Sequence, residues 1–129
     1  MFRLLVAGAA GLMLLTGAAF AQDLAGGAIK VSTIAGKEVL TDKNGMTLYT
    51  FGKDTPGVST CYAQCAVNWP PAFAAADAKA EGDFTIVDRT DGTKVWAYKG
   101  MPLYLWIKDT APGQTTGDGV GGNWFTAVK

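Results

Sequence analysis

The chain contains no histidine, so the side chains that could do chemistry are carboxylates, sulfurs and phenols. Asp54 and Asp109 are the carboxylates to suspect, since paired carboxylates can serve as acid and base or nucleophile in glycoside hydrolysis. Each also precedes a threonine and a Pro-Gly pair. An aspartate there accepts backbone N–H bonds and sets a turn, and this is the reading the sequence favours. Cys61 and Cys65 lie four positions apart. In an oxidising compartment they are expected to pair as a disulfide. The Cys-x-x-x-Cys spacing, with no basic residue between, argues against a redox-active dithiol. Met46 and Met101 could offer soft sulfur to Cu(I) or an iron porphyrin, although most methionines fill space. The lack of histidine excludes Ser-His and Cys-His pairs, the usual zinc ligand sets and a covalent c-type haem motif.

These residues are organised by an internal duplication. Gly45-Met46-Thr47-Leu48-Tyr49-Thr50-Phe51-Gly52-Lys53-Asp54-Thr55 returns as Gly100-Met101-Pro102-Leu103-Tyr104-Leu105-Trp106-Ile107-Lys108-Asp109-Thr110. Asn68-Trp69 then reappears as Asn123-Trp124 at the same offset of 55 residues. On an extended strand Tyr49 and Phe51, or Tyr104 and Trp106, share one face, and Leu48 or Leu103 takes the other. Such an aromatic row could form a binding platform. Both faces of the second motif are apolar, however, so core or inter-repeat packing is the expected role.

Tyr49-x-Phe51-x-x-Asp54 and Tyr104-x-Trp106-x-x-Asp109 resemble the signature of the bacterial secreted-repeat family described as predicted lipoproteins with a Yx(FWY)xxD motif. The likeness takes in Ser59-x-Cys61-x-x-x-Cys65-Ala66, Trp69-Pro70-Pro71, Asp91-Gly92-Thr93, Gly100-x-Pro102-Leu103-Tyr104 and Pro112-Gly113 through Trp124. The resemblance implies an envelope protein of unassigned activity. The chain departs from a lipoprotein in having no cysteine just after its leader.

That leader is read at residues 1–21. Arg3 precedes an apolar run from Leu4 to about Leu15, and Ala19-Phe20-Ala21 offers a signal peptidase its small-x-small pattern. The run is short for a membrane span, so a periplasmic or secreted protein without a transmembrane segment is expected. Residues 22–129 then suit one domain, with repeat one at about 29–71 and repeat two at about 84–129. Basic and acidic residues balance at eleven each, so no basic stripe points to nucleic acid.

The elements read as follows. Gln22–Gly27 is a loose tail. Strands are expected at Ile29–Ile34 and Glu38–Thr41, and Asn44-Gly45 turns the chain into a first motif strand, Met46–Phe51, that completes a hairpin. Thr55-Pro56-Gly57 has the order of a type II turn. Ser59–Val67 carries the cysteines in a single helical turn or structured loop that ends at Asn68-Trp69-Pro70-Pro71. Phe73–Ala80 is a short helix or a surface connection. Phe84–Val87, Lys94–Tyr98 and Pro102–Ile107 form a three-strand meander turning at Asp91-Gly92 and Lys99-Gly100. Asn123–Val128 closes the chain. Gly117–Gly122 formally matches Gly-x-Gly-x-x-Gly, but it lacks the βαβ frame of a nucleotide site and reads as a loop.

The fold class is therefore all-β, an antiparallel sandwich or small barrel of two pseudo-symmetric repeats with a short helical or loop segment around the cysteines. The functional expectation is an exported, non-catalytic module without a cofactor, binding an envelope protein or cell-wall ligand or playing a structural part. The alternative is a redox, metal or haem-handling accessory protein that uses Met46/Met101 or Cys61/Cys65.

Overall fold

The computed structural model describes residues 22–129, and the expected leader at 1–21 lies outside them. The strands are β1 (Gln22–Leu24), β2 (Ile29–Ile34), β3 (Lys37–Asp42), β4 (Tyr49–Phe51), β5 (Phe84–Asp88), β6 (Lys94–Tyr98), β7 (Met101–Pro102) and β8 (Trp124–Thr126). They make three antiparallel sheets, β1-β2-β3, β4-β8 and β5-β6-β7. The sheets do not close into a barrel. Among the described residues a short α-helix, α1 (Gln64–Asn68), carries Cys65, and Cys61 is disulfide-bonded to it. No helix among the described residues is long and apolar enough to cross a membrane.

Turn chemistry accounts for the hairpins. Lys99 and Gly100 both take positive φ, 50° and 88°, the pair of values a type I′ turn needs between β6 and β7. Val58 N–H donates to Thr55 O across Pro56-Gly57, and Gly57 has φ 77°, which makes the expected type II turn. The meander of β5, β6 and β7 forms in chain order.

The motif segments differ from the long strands expected of them. Met46–Phe51 does not complete a full hairpin with β3; one bridge, Thr41 to Thr47, joins them, and β4 pairs instead with β8 in the register Tyr49↔Thr126 and Phe51↔Trp124. In the second copy the strand ends at Pro102, and Tyr104 makes single bridges to Tyr49 and Pro71. The reason is a change of partner along each motif. Leu48 N–H donates to Leu40 O, Ala127 N–H to Leu48 O, and Leu40 N–H to Ala127 O. Leu103, Trp96 and Ala72 form the same ring of three bonds in the other half. Each repeat's amino-terminal hairpin is thus completed by the carboxy-terminal segment of the other repeat.

Two further segments gain order from such pairing. Gln22–Leu24 is not a loose tail, because its backbone pairs with β2 and Ala25 is buried in the core. Phe73–Ala80 forms no helix. Ala72 and Ala74 N–H groups donate to Leu103 and Lys94, which holds the segment along the second sheet of three.

The core divides by face as the alternation requires. Leu48 and Leu103 are fully buried with Ile29, Leu40, Phe84 and Trp96. Tyr49 and Tyr104 are fully buried on the other side with Cys61, Trp69 and Trp124.

Candidate functional site

Tyr49 and Tyr104 meet at the pseudo-dyad, where each N–H donates to the other's carbonyl at 2.8 and 2.9 Å. Their side chains then cross. The Tyr49 hydroxyl donates to Asp109 Oδ2 at 2.5 Å, and the Tyr104 hydroxyl donates to Asp54 Oδ2 at 2.6 Å. Each tyrosine is therefore tied to the aspartate of the opposite repeat. The second oxygen of each carboxylate does the turn work read from the sequence. Asp54 Oδ1 accepts from the N–H and hydroxyl of Thr60, and Asp109 Oδ1 from those of Thr116. Burial first, and then the carboxylate acceptor beside each phenol, push both tyrosine hydroxyls well above the usual phenol range.

The two halves differ around the phenols. Gly117 N–H donates to the Tyr49 hydroxyl at 3.1 Å. The Tyr104 hydroxyl lies 2.6 Å from Ser59 Oγ, which accepts from Arg89 Nη1, also at 2.6 Å. Arg89 is 5 % exposed, donates from Nη2 to Cys61 O, and lies 4.1 Å over the Tyr62 ring. Its Nε makes no hydrogen bond and stands 3.8 Å from Asp91 Oδ2. A buried cation of this kind needs a nearby anion and hydrogen-bond acceptors, and Asp91, Ser59 and the Cys61 carbonyl provide them.

Between the phenols lies an aromatic stack. Phe51 faces Trp124 at 4.2 Å between centroids, Trp124 faces Trp69 at 3.8 Å, and Trp69 faces Trp106 at 4.0 Å. Tyr49 stands edge-on to Trp69 and Tyr104 edge-on to Trp124. The rings of Tyr49, Phe51, Tyr104 and Trp106 thus pack across the dyad. Cys61 is buried against this cluster and Cys65 is half-buried beside it. Met46 follows the turn after β3 and lies outside the named strands, whereas Met101 opens β7; both thioethers are half-buried.

A separate concavity of about 740 Å³ lies on the leucine side of the motif. Leu48, Ala72, Trp96 and Leu105 line it, the Ala75–Glu81 connection walls it, and Lys43 and Lys79 stand among its polar lining residues. Among the described residues no cluster of three or more cysteine, aspartate or glutamate side chains could hold a metal ion.

Sequence reading did not find Arg89, the crossing of tyrosine to aspartate, or the concavity. The duplication and the Asn-Trp recurrence were signals for the crossing, but nothing in them distinguishes pairing within a repeat from pairing between repeats.

Fold and site together define a duplicated all-β module whose signature residues bind one repeat to the other. The chain belongs to a family described as a secreted repeat of unknown function, whose model matches residues 30–73 and 85–128. Comparison with curated proteins and with solved structures gives no match.

Proposed function

We propose that this protein is an exported, non-catalytic envelope module, one domain after removal of residues 1–21, that acts in the periplasm or outside the cell by binding a ligand with an apolar body in the cleft beside Leu48 and Trp96. The observation that carries this reading is a division of labour between the two faces of the motif. On the tyrosine face both Asp54 and Asp109 have each oxygen engaged in a hydrogen bond, so neither carboxylate is free to act on a substrate. On the leucine face a concavity of about 740 Å³ stays open. That volume lies in the range of ligand sites, and its walls of leucine, alanine and tryptophan, with Asp42, Lys43, Asp77, Lys79 and Glu81 also lining it, suit a ligand with an apolar body and a polar end.

The test is titration of the exported protein with the environment-sensitive apolar dye N-phenylnaphthylamine. Dye fluorescence should rise saturably in the native protein. Ala78→Phe, which places a ring among the lining residues, should weaken the affinity at least tenfold while the urea midpoint holds. No saturable binding, or equal affinity in the variant, would contradict the assignment.

A further inference from the structure

The central rings are arranged for more than packing. Trp106, Trp69 and Trp124 are indoles in face-to-face contact, at 4.0 and 3.8 Å, and indole is the most readily oxidised aromatic side chain after an ionised phenol. Tyr49 stands 5.4 Å from Trp69 and Tyr104 5.2 Å from Trp124. A phenol gives up an electron easily only if its proton can leave at the same moment. Both phenols here already donate to a carboxylate, at 2.5 and 2.6 Å.

Going beyond the binding role, we propose that the stack conducts a single electron from Tyr49 to an external one-electron oxidant, such as an organic peroxyl radical, that meets the chain at half-exposed Trp106. The oxidant takes one electron from the Trp106 indole and is reduced to a peroxide anion, which takes its proton from water. An electron from Trp69 refills Trp106, and one from Tyr49 refills Trp69. As Tyr49 loses its electron, its hydroxyl proton passes to Asp109 Oδ2, leaving a neutral phenoxyl radical beside a neutral carboxyl group. A buried negative charge is removed and no buried positive charge is left behind, which favours this end state in a low-dielectric interior. A small thiol then returns one electron through the same rings, and the proton moves back from Asp109 to the phenol. The thiol gives its own proton to the hydroxide left when the peroxide was protonated, and its thiyl radical pairs with a second one to form a disulfide.

The asymmetry of the two halves selects Tyr49 over Tyr104. Arg89 reaches the Tyr104 hydroxyl through Ser59, in two hydrogen bonds of 2.6 Å each, and its positive charge opposes a hole there. The stack end on that side is Phe51, a ring far harder to oxidise than indole. Lys108 also carries positive charge 5.9 Å from the Trp106 ring, but it is exposed, and solvent and salt screen it.

The test is oxidation of the exported protein by photogenerated tris(bipyridine)ruthenium(III), with the radical trapped by freezing and identified by electron paramagnetic resonance. A neutral tyrosyl signal should form in the native protein. It should fall at least tenfold in Tyr49→Phe, with a tryptophan radical in its place, and persist in Tyr104→Phe. Trp106→Phe keeps a ring in the stack and leaves both phenols untouched, so it serves if Tyr49→Phe fails to fold; tyrosyl formation should slow at least tenfold. A tyrosyl signal unchanged in Tyr49→Phe or in Trp106→Phe, or lost in Tyr104→Phe and kept in Tyr49→Phe, would overturn the proposal.

Discussion

Ala63 lies inside the disulfide loop at φ 54° and ψ −127°, a conformation an L-alanine adopts at a cost of about 1–3 kcal/mol. It is the first central residue of the turn in which Cys65 N–H donates to Tyr62 O, a type II′ position where glycine is the natural occupant. Ala63→Gly should therefore raise the stability by about 1 kcal/mol, strain relief exceeding the loss of unfolded-state restriction. Urea unfolding of the oxidised protein measures this, and a lower midpoint would show that the turn is unstrained. The Cys61–Cys65 bond closes so short a loop that chain entropy supplies only about 2 kcal/mol. Its place beneath Trp69 and beside the carbonyl that Arg89 binds makes it a device for holding that loop shape. The disulfide was legible from two cysteines and the expectation of export. Arg89 was not, because an arginine between Asp88 and Thr90 looks like a solvated strand end until the fold buries it.

Among the elements, the glycine-rich loop after Pro112 matters through one contact. A Cβ at Gly117 would lie 2.8 Å from the Trp69 ring and 3.0 Å from that of Trp106, so the backbone itself caps the stack. Gly117→Ala should cost about 1–3 kcal/mol by overpacking and should alter the near-ultraviolet circular dichroism of the tryptophans. A variant with native spectrum and midpoint would mean that the loop yields freely. Turns whose chemistry is local were readable in advance, as at Pro56-Gly57 and Lys99-Gly100. The motif strands were not readable in full. Their hydrogen bonds pass from one partner to another within a few residues, and which partner comes from which repeat is a property of the assembled fold.

For the whole molecule, the burial that seals the repeats together also sets the response to alkali. Unfolded tyrosine ionises near pH 10, whereas Tyr49 and Tyr104 in the folded chain ionise well above it. Above about pH 10 the folded state holds more protons than the unfolded state, so stability that is intact below that pH falls as pH rises. Urea midpoints from pH 9 to 11.5, followed by tryptophan fluorescence, should decline, with a shallower decline in Tyr49→Phe. A flat profile would show that the phenols reach solvent without unfolding.

The claim on which the rest depends is that each tyrosine is bound by the aspartate of the other repeat. A double-mutant cycle tests it most directly, with stability read from urea unfolding of Tyr49→Phe, Asp109→Asn, Asp54→Asn and their combinations. Tyr49→Phe with Asp109→Asn should show a coupling energy of about 1–3 kcal/mol, and Tyr49→Phe with Asp54→Asn should be additive within about 0.5 kcal/mol. The reverse pattern, coupling within a repeat and additivity between repeats, would contradict the crossed arrangement.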